Sequence, residues 1–198
     1  MEHLSVASAG ITDDLCTIIG QHLCKLSSLK SLDLRYNNIG AFGGLCIIKT
    51  LCHLSCMEKL DLSSNPIGNS VKTDKLLCGL KGLTKLRYLN LADTGLNERS
   101  IAQLCISLTH MRNLQVLNLS ENHIGNTAKI LAQILQSLTN LVELDLSNTA
   151  VGGTLEDAPI LYIISSLKHM PDLQVLKSGI AAKILAQRLQ CLTNLVEL

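Results

Sequence analysis

Apolar residues recur along this chain at fixed positions in a unit of about 28 residues. In the stretch LQVLNLSENHI they fall at Leu114, Leu117, Leu119 and Ile124, and Asn122 lies between the last two. This spacing predicts a short strand whose alternate residues point inward, then a turn and a helix that returns outside the strand. Since one unit alone leaves apolar faces uncovered, the pattern predicts a stack in which neighbouring units cover each other.

One frame fits the whole chain when each unit is set by its second strand leucine. These residues are Leu4, Leu32, Leu60, Leu89, Leu117, Leu144, Leu176 and Leu198. The predicted units are 1–28, 29–56, 57–85, 86–113, 114–140, 141–172 and 173–194, followed by a partial strand at 195–198. We therefore predict a single α/β domain, a solenoid in a horseshoe arc with parallel strands on the concave face and helices on the convex face.

Some units depart from the frame. Thr12 and Asp13 predict a capped helix start in the first unit. The sixth unit carries extra residues around Gly152 and Pro159, which predict a loop before its helix. The seventh unit copies parts of the fifth but is five residues shorter, and KSGI replaces its strand end and turn. For that unit we expect a shortened strand without an asparagine.

Polar residues at the end of each strand have a predicted structural role. An amide can satisfy both the N–H and the C=O groups that a turning backbone leaves unpaired inside the stack, and a hydroxyl can replace part of this bonding. The predicted ladder consists of Asn37, Asn65, Thr94, Asn122 and Thr149.

Composition and charge narrow the function. Hydrophobic residues make up 47% of the chain and aromatics 2%, so leucine and isoleucine must build the core. The formal net charge of +1 provides no long-range field for nucleic acid, and no segment is long and apolar enough for membrane insertion. The start MEHLSVASAGITDDL lacks the features of a signal peptide, so we expect a cytoplasmic protein. The alternative is a secreted protein whose leader was removed, for which Asn118 would be a glycosylation sequon.

No motif indicates catalysis or a cofactor. Phosphate-loop, nucleophile-elbow and zinc-protease motifs are missing from the sequence, and the six histidines share no column with carboxylates. The eight cysteines fall mostly at helix positions and lack a second pair at zinc-ligand spacing. We therefore predict no catalytic residues, no metal and no cofactor, and reduced thiols that suit the cytosol.

The concave face is the candidate binding surface, because its strand residues point away from the core. Basic and aromatic residues gather in its first half and acidic residues in its second, and Tyr and Arg often anchor interfaces. A solvated repeat surface with a common Asp/Asn column remains the alternative. The predicted binding residues are Arg35, Tyr36, Lys59, Arg87, Tyr88, Asp93, Glu121 and Asp145.

The stretches LDLRYNNIG, LDLSSNPIG and LNLSENHIG, at this period, resemble the ribonuclease-inhibitor-like class of leucine-rich repeats. They are especially similar to the repeat domains of NOD-like innate immune receptors. The resemblance implies a leucine-rich repeat solenoid that binds a protein or a microbial ligand on its concave face, as a repeat-only protein or as a fragment.

The leading hypothesis is a non-enzymatic recognition module in innate immunity that binds a protein or a microbial surface ligand. One alternative is an intracellular scaffold or a small-GTPase regulator resembling the Ran-activating family, which would need a functional arginine and an acidic tail. Another is a secreted pathogen-binding repeat protein. We expect a monomer, or a dimer formed edge to edge through the uncapped C-terminal end.

Overall fold

Parallel strands and helices alternate along the described part of the chain. The computed structural model describes residues 1–149, except 69 and 71, and residues 160–177. The strands are β1 (His3–Ser5), β2 (Ser31–Asp33), β3 (Lys59–Asp61), β4 (Tyr88–Asn90), β5 (Val116–Asn118), β6 (Glu143–Asp145) and β7 (Val175–Lys177). The helices are α1 (Asp13–Leu23), α2 (Ala41–Leu51), α3 (Thr73–Gly79), α4 (Glu98–Leu108), α5 (Ala128–Leu135) and α6 (Ile160–Ser166).

The seven strands found in the described residues belong to one parallel sheet, and their order in the sheet is their order in the chain. The middle residue of every strand is the leucine that sets the frame, and these leucines pair in register from Leu4 with Leu32 to Leu144 with Leu176. The open parallel sheet with a helix between successive strands confirms the predicted α/β solenoid.

The core is a column of aliphatic layers. Within one repeat, Leu117 from the strand, Leu114 and Leu119 on either side of it, and Leu131 and Leu135 from the helix are fully buried. Neighbouring repeats supply the same positions, and together they form one continuous apolar cluster. Each fully buried side chain of this size contributes about 1.5–3 kcal/mol, so the stack is stabilised by repetition and not by a few large rings.

The helices differ in length. α1, α2 and α4 have eleven residues, whereas α3, α5 and α6 have seven or eight and each adjoins a 3₁₀ turn. Asn97 begins α4 by accepting a hydrogen bond from the backbone N–H of Ser100. At α1 the predicted capping by Thr12 is wrong: its side chain makes no capping bond, and Asp13 instead accepts from the N–H of Gly40 in the next repeat at 2.7 Å.

The asparagine ladder lies just beyond the strands. Oδ1 of Asn37 accepts from the backbone N–H groups of Ala9 and Ile11, at 2.9 and 3.0 Å. Its Nδ2 donates to the carbonyls of Val6 and Leu34, at 3.0 and 2.8 Å. One amide therefore satisfies donors and acceptors from two consecutive repeats, which joins their turns inside the stack.

At Thr94 the ladder has a hydroxyl in place of an amide. Asn122 of the next repeat bonds to the turn that contains Thr94. Oδ1 of Asn122 accepts from the N–H of Leu96 at 2.9 Å and from both the N–H and the hydroxyl of Thr94, at 3.3 and 3.2 Å. Its Nδ2 donates to the carbonyl of Leu91 at 2.7 Å. The Thr149 hydroxyl donates to the carbonyl of Leu146 in its own repeat, at 2.7 Å. Both threonine hydroxyls therefore donate to a carbonyl of their own turn, and the Thr94 hydroxyl also donates to Asn122 of the next repeat. The asparagine side chain, in contrast, bonds to backbone groups of its own repeat and of the preceding one.

A second connection between repeats lies at the opposite end of the strands, where helix leads back to strand. Asn113 donates to the carbonyl of Thr84 at 3.1 Å, and Asn140 donates to that of Arg112 at 2.8 Å. Both asparagines are exposed, so water can replace these bonds. They contribute less to stability than the buried ladder does.

The end of the array agrees with the prediction only in part. β7 has three residues like every other strand, so the expected shortened strand is wrong. Lys177, the first residue of KSGI, completes it by pairing with Asp145. The loop predicted around Gly152, the strand at 195–198 and the C-terminal edge suggested for a dimer lie outside the described residues.

The buried ladder should tolerate substitution poorly. Asn122→Ala leaves several buried backbone groups unpaired, so we expect the free energy of unfolding to fall by about 2–4 kcal/mol. Asn140→Ala is the matched control: it also removes an inter-repeat asparagine bond, but an exposed one, and should cost less than about 1 kcal/mol. Urea unfolding followed by circular dichroism measures both, and equal losses would contradict the role given to burial.

Candidate functional site

A concavity that includes candidate residues lies where the strands end and the ladder begins. It has a volume of about 550 Å³ and takes residues from four consecutive repeats. We call it the inter-repeat groove, and it is lined by Arg35, Tyr36, Ser63, Ser64, Asn90, Ala92, Asp93, Asn118 and Glu121.

A column of left-handed residues forms one border of the inter-repeat groove. Tyr36, Ser64, Asp93 and Glu121 each immediately precede a ladder residue and have φ between 52° and 57°. The left-handed conformation costs a residue with a Cβ roughly 1–2 kcal/mol. The ladder enforces it, because the asparagine or threonine that follows must turn inward. The column is therefore held in place by the stack beneath it.

The strand ends form a second column, in which an Asp or Asn closes its own turn. In each case the side-chain Oδ1 accepts from the backbone N–H two residues later, at 2.9–3.1 Å. This is the Asx turn that such residues favour. The residues of this column are Asp33, Asp61, Asn90, Asn118 and Asp145.

Asp61 anchors the floor of the concave face. It is only 8% exposed, and its Oδ1 accepts from the Ser63 hydroxyl at 2.6 Å. Its Oδ2 accepts from Asn90 at 3.0 Å and from the Tyr88 hydroxyl at 3.4 Å. Burial, together with the nearby Asp61 carboxylate, raises the pKa of Tyr88. The floor is a satisfied hydrogen-bond network, so Tyr88 is half-buried and not a free anchor.

Ion pairs offset much of the charge on this face. Nε of Arg35 lies 3.5 Å from Oδ2 of Asp33, and Nε of Arg87 lies 3.8 Å from Oε2 of Glu58. Further along the sheet, Lys177 lies 2.9 Å from Glu143. Within the described residues, no basic group lies within 4.0 Å of Asp93 or Glu121. The predicted acidic half therefore has two carboxylates without a cation beside them.

The structure brings together four of the predicted binding residues and separates the others. Arg35, Tyr36, Asp93 and Glu121 line the inter-repeat groove, whose walls come from both halves of the face. The other predicted residues lie elsewhere: Lys59 and Tyr88 pair across neighbouring strands, Arg87 faces Glu58, and Asp145 closes the turn at the end of β6.

Five lining residues were not among the predicted binding residues: Ser63, Ser64, Asn90, Ala92 and Asn118. Ser63, Ser64 and Ala92 lie one or two positions before a ladder residue, as Arg35 and Tyr36 do. The constant distance from the ladder residue could have identified these positions in the sequence. The alternating strand pattern does not identify them, because they follow the strand. The groove is thus built more by the turns than by the strands.

The cysteines divide by exposure. None of the seven described cysteines forms a disulfide. Cys24 and Cys52 are exposed, whereas Cys16 and Cys105 are buried, and burial raises the pKa of each buried thiol to about 12. Among the described residues, no group of three or more His, Cys, Asp or Glu side chains is placed to hold a metal. The described helices include none that could cross a membrane.

A family model agrees with the repeat pattern. The model described as leucine-rich repeat matches residues 25–47, 53–70 and 110–128. These segments contain the strand and turn of the second, third and fifth predicted units. A search of curated protein sequences finds no match to the chain.

Solved structures show the same architecture at low sequence identity. An internalin C2 from Listeria monocytogenes is 24% identical with a TM-score of 0.62, covering 98% of this chain and 78% of that one. An internalin, inlF, from the same organism is 22% identical with a TM-score of 0.57, covering 80% of this chain and 37% of that one. TLR13, in a complex with ssRNA13, is 25% identical with a TM-score of 0.57, covering 96% of this chain and 28% of that one.

The left-handed column makes a prediction about stability. Ser64→Gly removes the Cβ that opposes the left-handed backbone, and should raise the free energy of unfolding by about 0.5–1 kcal/mol after the entropy of the more flexible unfolded chain is included. Ser64→Ala keeps the Cβ and is the matched control. Chemical denaturation checks both, and no gain for glycine over alanine would show that the conformation carries no strain.

The thiols should react in order of burial. At about pH 8, iodoacetamide should label Cys24 and Cys52 rapidly in the folded protein, whereas Cys16 and Cys105 stay protonated and inaccessible. Both buried thiols should react once the chain is unfolded in guanidinium. Mass spectrometry of the labelled peptides measures the rate at which each cysteine reacts. Early labelling of Cys105 would contradict the burial of its side chain.

Proposed function

We propose that this leucine-rich repeat chain is a non-enzymatic recognition module that binds a protein or a microbial surface ligand on its concave face, in innate immune recognition. The inter-repeat groove is the observation that carries the proposal. It combines an exposed tyrosine and an arginine, which are common interface anchors, with two carboxylates and a polar floor. This mixture fits selective binding better than a uniform solvated surface does.

Preorganisation supports a binding role. The backbone N–H groups of Tyr36, Asp93 and Glu121 donate to carbonyls of the next repeat, at 3.0, 2.9 and 2.9 Å. The stack therefore holds the side chains of the groove wall at fixed positions before a ligand arrives. A rigid surface loses less conformational entropy on binding, which favours affinity.

Several observations favour binding over catalysis. The Asp and Asn residues at the strand ends include carboxylates that could act as acids or bases. However, the Oδ1 atom of each residue accepts a hydrogen bond from a backbone N–H. The Cys16 and Cys105 thiols, with pKa raised to about 12, are protonated at neutral pH and are poor nucleophiles. Leucine-rich repeat domains generally act as interaction modules.

The finer assignment is also part of the proposal. The 28-residue spacing, with α-helices on the outer side, supports a relationship to the NOD-like receptor repeats, and the similarity to TLR13 supports an immune role. The unpaired thiols support the cytoplasm as the compartment. A glycan on Asn118 would instead favour the secreted alternative.

The test presents the purified chain to host lysate and to bacterial surface material in parallel, identifies what is retained, and then measures its affinity by titration. We expect the double variant Arg35→Ala with Tyr36→Ala to bind the retained ligand about tenfold more weakly or worse, because both side chains line the groove. Ile106→Ala, an exposed residue on the outer helix α4, is the matched control and should bind as the unaltered chain does.

The outcomes separate the possibilities. A host protein lost only in the groove variant supports an intracellular recognition role, whereas microbial material lost in the same way supports direct pattern recognition. Equal binding by the groove variant and the Ile106→Ala control would refute a site on the concave face. Circular dichroism of each variant confirms that the fold is intact.

A further inference from the structure

The inter-repeat groove has two chemically different walls. Arg35 and the 62% exposed Tyr36 form one wall, from the second repeat. Asp93 and Glu121 form the other, from the fourth and fifth repeats, and the residues between them are small or amide-bearing. A guest in the groove therefore meets an aromatic ring on one side and carboxylates on the other.

The sign of the charge in the groove is negative. Its lining carries one basic group, Arg35, and that guanidinium lies 3.5 Å from the Asp33 carboxylate of its own repeat. The two acids of the opposite wall have no such neighbour within the described residues. Glu121 accepts a hydrogen bond from the neutral amide of Asn148, which leaves its charge in place. The groove is thus complementary to a cation and repels phosphate.

The size of the groove restricts the guest. A volume of about 550 Å³ accommodates one or two side chains of a bound segment. Arginine suits this site better than lysine, because its planar guanidinium pairs with carboxylates through more than one hydrogen bond and its faces stack on aromatic rings. The Tyr36 ring offers an apolar surface to the residue beside that arginine.

We propose that the groove binds an arginine side chain of an extended segment in a protein partner, with the guanidinium on Asp93 and Glu121 and a neighbouring aromatic or apolar residue on Tyr36. The inference rests on the proposed recognition function and specifies the chemistry of its ligand. Charge complementarity selects this occupant over nucleic acid or another acidic polymer.

The probe is the dipeptide acetyl-Phe-Arg-amide, and its neutral counterpart replaces arginine with citrulline, which keeps the shape and removes the charge. Backbone amide shifts in nuclear magnetic resonance spectra of the full chain report binding by residue. We expect the arginine peptide to shift the amides of Tyr36, Asp93 and Glu121, and to bind at least about fivefold more tightly than the citrulline peptide.

Variants test the two walls. Asp93→Asn with Glu121→Gln removes both charges at nearly constant shape, and should weaken the arginine peptide to the level of the citrulline peptide. Glu58→Gln removes an acid that lies just before β3 and outside the groove lining, and should leave binding unchanged. Tyr36→Leu should weaken both peptides, because both lose the ring beneath their phenylalanine.

Equal binding of the two peptides would overturn the proposal, and so would unchanged arginine binding in the Asp93→Asn/Glu121→Gln variant. Tighter binding of a short oligonucleotide than of the arginine peptide would overturn it as well. If the peptides fail while the Arg35→Ala/Tyr36→Ala variant still loses the ligand found in the retention experiment, the arginine inference is wrong and the concave-face function stands. If both fail, neither stands.

Discussion

The buried amide ladder is the constraint on which the rest of this structure depends. A chain that turns sharply after every strand leaves N–H and C=O groups facing a dry core, and each unpaired group would cost about 1–3 kcal/mol. The buried Asn65 and Asn122 and the partly buried Asn37 satisfy these groups in their own repeat and in the one before it. The repeats can therefore stack closely enough for their leucines to form one core, and the stacking in turn keeps water away from the ladder.

The same constraint shapes the surface. The residue before each inward-pointing asparagine or threonine of the ladder adopts a left-handed backbone, and its side chain lines the groove at Tyr36, Asp93 and Glu121. The inter-repeat groove is thus a by-product of the turn that stabilises the fold, and backbone hydrogen bonds to the next repeat hold its wall in place. The residue type at this position can vary with little effect on the core.

Much of the architecture is readable from periodicity because it is local and repeated. The spacing of Leu32, Leu60 and Leu89 specifies one strand, one turn and one helix per unit, and stacking leaves little freedom in how the units are arranged. Predictions that depended on a single side chain were less successful. Thr12 does not cap its helix because Asp13 turns to Gly40 of the next repeat, and the strand of the seventh unit keeps its full length by pairing with β6.

The sequence by itself determined the α/β repeat, the register of the sheet and the positions of the ladder, because these depend on residue type at a constant period. Only the tertiary structure decided which charged residues act together. Residues 28 or more positions apart become neighbours through stacking, and ion pairs such as Arg87 with Glu58 then offset some charges and leave others exposed. The sequence predicted a basic half and an acidic half, whereas the structure has one groove with an aromatic wall and an acidic wall. That arrangement depends on distances between repeats, which the linear sequence does not contain.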